Sequence, residues 1–161
     1  MYRQIHIDQN KKDLQRIVWK THADALVKFY KLSTVTYGTI SAPFLATRTL
    51  KALANKERID FPKAADVICS DIYMDDILSG EATMEDTKNL QAQICALLLR
   101  AGFELHKWVS NSPDLLQNLS KASYLFDKGQ DVGPVKTLGM LWDPKVYCLT
   151  YELIPSVGIK K

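Results

Sequence analysis

The 161-residue sequence predicts an α+β fold in which helices cover one face of an antiparallel sheet. Short runs rich in β-branched and aromatic residues alternate with helical segments, in the order ββ, α, ββ, α, β, α, ββ. The composition, 47% hydrophobic and 24% charged, is that of a globular domain and excludes disordered and fibrous classes. A chain of this length buries one sizeable core without disulfide or metal support.

The first elements are two strands and a helix. Residues 17–19 and 26–36 are rich in β-branched and aromatic side chains, which favour strands. A helix is predicted from Ser41, with Pro43 in its first turn and an end before Pro62. Its apolar residues recur at helical spacing: Ala46, Leu50, Leu53 and Ala54.

A β-hairpin follows, because apolar residues at 67–69, 72 and 77–78 flank a tight turn that Gly80 closes. The strongest helical pattern comes next. Thr83 and Asp86 have the spacing of a capping box, and Gly102 provides a C-terminal stop. The apolar stripe of this helix comprises Leu90, Ile94, Leu97, Leu98 and Ala101.

The last third of the chain is predicted to hold a strand, a short helix and a second hairpin. Residues 103–109 have strand character, and residues 112–119 form the short helix. Residues 135–142 and 147–151 pair across a turn at Asp143 and Pro144. These elements complete the α+β order.

Cysteine and hydropathy patterns exclude several kinds of protein. The three cysteines lie far apart without a CxxC pair, so the sequence predicts no disulfide framework, no structural zinc and an intracellular, cytoplasmic location. The three histidines lack metal-ligand spacing. No run approaches the roughly 20 apolar residues of a transmembrane helix, so no membrane partner is predicted.

Acidic residues are concentrated in one window. Residues 66–86 contain seven of the 18 acidic residues and no Lys or Arg. One explanation is a solvated acidic loop among scattered lysines, which is the commoner origin of a charge run. The other is a divalent-cation site beside a surface that binds a polyanion, where carboxylates hold Mg²⁺ and basic side chains neutralise phosphates.

The adjacent carboxylates Asp75 and Asp76 are the most informative feature of this window. Neighbouring strand residues point to opposite faces, so at least one carboxylate is predicted to lie beside the buried face. A charge there needs a cation or hydrogen bonds, and Mg²⁺ suits hard oxygen ligands. The alternative is that both are solvated turn residues.

The sequence Tyr73-Met74-Asp75-Asp76 resembles the YMDD hairpin of reverse transcriptases, and its surroundings resemble the BEL/Pao group of LTR retrotransposons. The similar segments are MYRQI at the start, DLQRIVWK at 13–20, TVTYGTISAPFLATR at 34–48, GFELHKWVSN at 102–111 and KTLGMLWDP at 136–144. The resemblance implies a polymerase palm with remnants of the fingers, and an RNA-directed DNA polymerase within a Pol polyprotein.

The resemblance also implies roles for the hairpin residues. Asp75 would be a direct ligand of two Mg²⁺ or Mn²⁺ ions, with Asp76 as the adjacent acid. Met74 and Tyr73 would form the floor under the primer end and the incoming deoxynucleoside triphosphate. Hairpin packing is the alternative role for both.

Three further positions match family residues. Tyr2 falls where a bulky side chain excludes the ribose 2′-hydroxyl, and Gly38 where nucleotide and template approach the backbone. Lys107 lies where a lysine faces the pyrophosphate. The alternatives are a core tyrosine at Tyr2 and a surface lysine at Lys107. Tyr37 stands where retroviral enzymes carry Gln, a departure that agrees with BEL/Pao elements.

The implied partners are an RNA or DNA template with its primer and the rest of the Pol polyprotein in a virus-like particle. Residues 138–142 would grip the primer, or Trp142 would pack in the core. Basic side chains would contact template phosphates or serve solubility: Arg48, Lys51, Lys56, Arg58 and Lys63.

Family members carry a third metal-binding aspartate on the strand before the segment similar to MYRQI. Thumb, connection and RNase H follow the palm. The resemblance therefore predicts a fragment truncated at both ends that is inactive alone. The alternative is a catalytically inactive remnant, at most a nucleic-acid-binding or structural module.

Overall fold

The strands of the computed structural model lie in separate antiparallel sheets of two, two and three strands. The structure describes residues 1–117, 134–146 and 148–151. Contacts divide the chain into one unit of Met1–Ser79 with Leu90–Glu104 and another of Gly80–Asn89 with Leu105–Lys161. The predicted α+β class is confirmed, but the strands of the described residues form several small sheets and not the single sheet that was expected.

The first sheet is the hairpin of β1 (Arg16–Trp19) and β2 (Lys28–Lys31). It confirms both predicted strands, although the second is shorter than the expected 26–36. Two 3₁₀ turns precede it, over Tyr2–Gln4 and Gln9–Leu14. Every residue of β1 and β2 is exposed, so this hairpin adds no core to the described part of the chain.

Helix α1 (Ala42–Glu57) begins and ends as predicted, directly after Ser41 and before Pro62. Its buried face carries residues at helical spacing. They are Ala42, Ala46, Leu50 and Ala54, with Glu57 at the last turn. This small-residue face lets a second helix approach closely.

That second helix, α2 (Pro62–Ser70), occupies positions where the sequence predicted a strand. The prediction for residues 67–69 was wrong. Pro62 stands in the first helical turn, where its missing N–H costs nothing. Ala64, Ala65 and Ile68 are completely buried along one helical stripe. A short apolar run fits a buried helix as well as a strand, and burial of this stripe favours the helix.

Arg100 anchors the segment after helix α3 (Met84–Leu99) to the connection between α1 and α2. Its guanidinium donates to the buried Glu57 carboxylate and to Asp60 Oδ2 at 2.6 Å, and lies 4.7 Å from the centre of the Phe61 ring. Hydrogen bonds with Asp60 and Glu57 raise the pKa of Arg100. Glu57 is thus a buried carboxylate with a charged partner, as burial of a charge requires.

Helix α3 (Met84–Leu99) has the predicted N-terminal cap. The Asp86 backbone N–H donates to Thr83 Oγ1 at 3.1 Å, and the Thr83 hydroxyl donates to Asp86 Oδ2 at 2.6 Å. Thr83 therefore satisfies one of the N–H groups that a helix start leaves without an intrahelical acceptor. Most of the predicted apolar stripe is buried: Leu90, Ile94, Leu97 and Leu98.

The end of α3 is a Schellman motif. Gly102 has φ +74°, and its N–H donates to the Leu99 carbonyl at 2.9 Å, while the Phe103 N–H donates to the Leu98 carbonyl at 3.0 Å. Leu98 and Phe103 are both buried, which supplies the apolar contact typical of this motif. Gly102 confirms the predicted C-terminal stop.

Gly102→Ala should lower the free energy of unfolding by about 1–2 kcal/mol, because a side chain disfavours the left-handed conformation. Urea denaturation measures the change. Gly80→Ala is the matched control, since Gly80 lacks a positive φ and a methyl group there meets no atom within 4 Å. An equal loss at both positions would contradict the role of the backbone angle.

The chain after α3 differs from its prediction at two places. Residues 103–109 do not form a strand, because Lys107 has φ +61°, which no strand residue adopts. The predicted helix over residues 112–119 is only a 3₁₀ turn, Pro113–Leu115, within the described residues. Residues 118 and 119 lie outside them.

A three-stranded sheet follows, made of β5 (Val135–Thr137), β6 (Met140–Asp143) and β7 (Cys148–Thr150). The predicted turn after Asp143 is confirmed. The predicted single strand 135–142 is split, because Leu138 and Gly139 have φ +51° and +77° and form a tight turn. Consecutive positive φ angles match the right-handed twist of a two-residue hairpin.

Candidate functional site

The acidic turn lies on the hairpin of β3 (Ile72–Tyr73) and β4 (Asp76–Ile77). Tyr73 pairs with Asp76, so Met74 and Asp75 form a two-residue turn. Met74 has φ +57°, the left-handed conformation that such hairpin turns require. The predicted tight hairpin around these four residues is confirmed.

The burial expected for the carboxylates is not found. Asp75 and Asp76 are both exposed, so the prediction that one lies beside the buried face was wrong. Asp75 is in the turn, and the hairpin is a two-stranded sheet whose strands have two residues each. Such a sheet is too small to have a buried face of its own. Burial of charge therefore does not argue for a cation here.

The base of the hairpin is held by Asp71, a residue that sequence reasoning missed. The Ser79 hydroxyl donates to Asp71 Oδ2 at 2.7 Å, and the Ser70 hydroxyl lies 2.8 Å from Asp71 Oδ1. Asp71 and Ser79 thus close a loop around the seven residues between them. The sequence feature that could have indicated this hydrogen bond is an Asp and a Ser on either side of the predicted hairpin.

The N-terminal segment contacts the hairpin turn. Ile5 is buried and its carbonyl accepts the Val35 N–H at 2.9 Å, while the Ile7 N–H donates to the Ser33 carbonyl at 2.9 Å. The 3₁₀ turn before Ile5 carries Tyr2, which is half-buried. Its hydroxyl lies 3.8 Å from Met74 Sδ, across 72 positions of sequence. Two predicted site residues are therefore neighbours.

Gly38 and Lys107 each have an unusual backbone. Gly38 lies in the turn before α1 with φ +86°, and a Cβ built on it meets no atom within 4 Å. Gly38 is therefore needed for its backbone angle. Among the described residues, no neighbouring atom would clash with a side chain at this position. Lys107 is exposed at its left-handed position in the second unit. The predicted roles of both residues stay predictions.

The hairpin offers oxygen donors of the kind that Mg²⁺ accepts. One ion held by one or two carboxylates, with water and phosphate completing its shell, fits Asp75 and Asp76. Among residues 1–117, 134–146 and 148–151, no three acidic, His or Cys side chains form a metal-ligand group. Asp8 accepts the Asn10 N–H at 2.7 Å and caps the second 3₁₀ turn.

The basic residues expected to contact a template are in different environments. Arg48, Lys51 and Lys56 lie on the exposed side of α1, and the Arg48 guanidinium is 5.9 Å from the centre of the Phe44 ring. Arg58 forms an ion pair with Asp66. Lys63 is exposed and Trp142 is half-buried in β6.

Comparisons with known proteins give no family. Within the part of the chain that the structure describes, no helix is long and apolar enough to cross a membrane. Searches against protein-family models, curated proteins and solved structures find no match.

Proposed function

We propose that this chain is the palm portion of a BEL/Pao-type reverse transcriptase, an RNA-directed DNA polymerase within a Pol polyprotein. The observation that supports the proposal is the 3.8 Å contact between the Tyr2 hydroxyl and Met74 Sδ. The resemblance assigns these residues, 72 positions apart, to one nucleotide site, and nothing in their local sequence requires them to meet. This contact supports the proposal that both residues border one nucleotide site.

The exposed turn would act at the primer end. Asp75 and Asp76 are exposed and would hold a divalent metal through their carboxylate oxygens. Bound Mg²⁺ would lower the pKa of the primer 3′-hydroxyl and stabilise charge on the leaving pyrophosphate. The Asp71–Ser79 hydrogen bond fixes the base of the turn. Tyr2 and Met74 would border the sugar of the incoming deoxynucleoside triphosphate.

The exposed side of α1 would face the nucleic acid. Arg48 and Lys51 lie one turn apart on this helix and are exposed. Exposed basic side chains of this kind would neutralise phosphates of the template. The proposed partners are an RNA or DNA template with primer, in the virus-like particle that the resemblance implies.

The experiment that tests this function changes the size of Tyr2. Tyr2→Ala should raise ribonucleotide incorporation relative to deoxynucleotide by about tenfold or more, because a pocket enlarged beside the sugar admits a hydroxyl. Primer extension on an RNA template with Mg²⁺ measures the ratio. The polypeptide tested carries, ahead of Met1, the strand with the third aspartate that the resemblance implies.

Tyr2→Phe is the matched control. It removes the hydroxyl that reaches Met74 but keeps the ring, so the incorporation ratio should stay at the wild-type value. An unchanged ratio in Tyr2→Ala would show that Tyr2 is a structural residue. Absence of any template-dependent extension would contradict the polymerase itself.

The second candidate is an inactive nucleic-acid-binding module. The exposed basic residues of α1, Arg48, Lys51 and Lys56, would bind phosphates whether or not a metal is held, which is the observation that supports this candidate. Such a module would retain labelled primer-template in a gel shift, with affinity falling steeply as salt rises, but would not extend it in either Mg²⁺ or Mn²⁺.

A further inference from the structure

The hairpin that carries Asp75 is too short to keep one conformation through its own strands. Strands β3 and β4 have two residues each, and their register joins only two residue pairs. An isolated two-stranded hairpin is marginally stable at best in water. Met74 in the turn has φ +57°, a conformation that a side chain disfavours. The hairpin therefore depends on contacts outside its strands.

One such contact joins the two ends of the hairpin. The Ser79 hydroxyl donates to Asp71 Oδ2 at 2.7 Å. Asp71 lies directly before β3, and Ser79 lies two residues after β4. The acceptor is a carboxylate, and hydrogen bonds to ionised acceptors are roughly twice as strong as those between neutral groups. This bond closes the hairpin from outside its residue pairs.

Asp71 is itself attached to a buried helix. Its backbone N–H donates to the Val67 carbonyl at 2.8 Å and caps the end of α2. Ile68 of the same helix is completely buried, and Asp71 is half-buried. The hydrogen bond from Ser79 therefore connects the far end of an exposed hairpin to a helix of the core.

Ser70 makes a similar contact with the same carboxylate but does not cross the hairpin. Its hydroxyl oxygen lies 2.8 Å from both Asp71 Oδ1 and the Asp66 carbonyl oxygen. A serine hydroxyl has one proton, so it donates to only one of these acceptors at a time. Ser70 is the last residue of α2 and the neighbour of Asp71 in the chain. Its loss would leave both ends of the hairpin joined.

We propose that Asp71 and Ser79 are positioning residues, whose hydrogen bond keeps the hairpin closed and holds Asp75 in the geometry that binds a divalent metal. The inference rests on the proposed function, in which Asp75 is the metal ligand. Mg²⁺ requires near-ideal octahedral geometry. A hairpin that is open for part of the time would bind the ion with an affinity reduced by the closed fraction.

Amide hydrogen exchange followed by NMR, in EDTA, tests whether the bond orders the hairpin. Ser79→Ala should speed exchange of the amides of β3 and β4 by about fivefold or more, because a hydrogen bond to a charged acceptor is lost. Ser70→Ala is the matched control and should change these rates by less than about twofold. Asp71→Ala combined with Ser79→Ala should exchange no faster than Asp71→Ala alone, because both changes remove one bond.

A Mg²⁺ titration of primer extension tests the effect on the metal, in the polypeptide that includes the upstream strand. Ser79→Ala should raise the Mg²⁺ concentration for half-maximal extension by about threefold, while the rate at saturating Mg²⁺ stays within about twofold of wild type. A residue that only stabilised the fold would lower the rate without moving the half-maximal concentration. Ser79→Ala alters no charge, so electrostatic attraction of the ion does not explain such a shift.

Asp71→Asn separates the hydrogen bond from the charge of Asp71. The side-chain amide oxygen of Asn can still accept the Ser79 hydroxyl proton. Asp71→Asn should therefore retain most of the exchange protection and require less Mg²⁺ than Asp71→Ala. Equal Mg²⁺ requirements in the two variants would assign the effect to the lost charge and overturn the positioning role.

Three further outcomes would overturn the proposal. They are unchanged exchange in Ser79→Ala, an equal acceleration in Ser70→Ala, and an unchanged Mg²⁺ requirement in Ser79→Ala despite faster exchange. The exchange experiment needs neither metal nor substrate, so its failure is distinct from failure of the proposed function. Absence of extension by the wild-type polypeptide would contradict the proposed function and, with it, the role of both residues in metal binding.

Discussion

Replacing Asp75 by Asn is expected to abolish primer extension while leaving the melting temperature nearly unchanged. Loss of a metal ligand removes several kcal/mol of transition-state stabilisation, and each 1.36 kcal/mol is a factor of ten in rate. We therefore expect at least about a hundredfold decrease in extension. Stability should persist because Asp75 is exposed in a turn. The assay uses the polypeptide that includes the upstream strand, with single-nucleotide addition followed over time.

Glu85→Gln is the control for this experiment. It removes one negative charge from an exposed residue in the first turn of α3. Extension should be within about twofold of wild type, because this charge touches no proposed reactant. Full activity of Asp75→Asn would show that Asp75 is not a metal ligand. An equal decrease in primer extension in Glu85→Gln would show that the effect comes from the change in net charge.

Ile68→Ala is expected to have the largest effect on stability. Ile68 in α2 is 0% exposed and is one of the two largest fully buried side chains among the described residues. Truncating a buried Ile costs about 2–5 kcal/mol, the lost transfer free energy plus that of the cavity left behind. This is a large part of the roughly 5–15 kcal/mol that holds a domain folded. Urea denaturation monitored by circular dichroism measures the loss.

Ile59→Ala makes the same chemical change at a solvated position. Ile59 is 93% exposed, so its truncation should alter the free energy of unfolding by less than about 0.5 kcal/mol. Equal decreases in the free energy of unfolding in both variants would show that the packing of α2 against α1 does not stabilise the core.

Elements with signals at both ends were the predictable ones. Helix α3 was read from Thr83, Asp86 and Gly102, and each has the expected local hydrogen bonds or backbone angle. The residues that predict the β3–β4 hairpin turn are also close together in the sequence. Residues 67–69 carried no such signal, because a short apolar run does not distinguish strand from buried helix. Burial against α1 decided the outcome, and that is a tertiary effect.

Positive φ angles at residues other than glycine account for two of the remaining differences. Lys107 and Leu138 adopt left-handed conformations that their side chains do not favour. Nothing in the sequence distinguishes Lys107 and Leu138 from ordinary strand residues. The sequence pattern therefore predicts strands that continue through both positions. In the site, the hairpin was predictable, but the solvent exposure of its carboxylates was not, because exposure depends on what packs beside the hairpin.

The contacts of the site differ greatly in sequence separation, and this sets an order of assembly. The Asp71–Ser79 hydrogen bond spans eight positions, whereas the Tyr2–Met74 contact spans 72. Short hairpins close in about 1–10 μs, while distant segments meet only after the chain between them is ordered. We therefore expect the acidic turn to form before Tyr2 reaches Met74. If the proposed roles hold, a chain between these two events would present Asp75 and Asp76 to a metal before Tyr2 is in place to select the sugar.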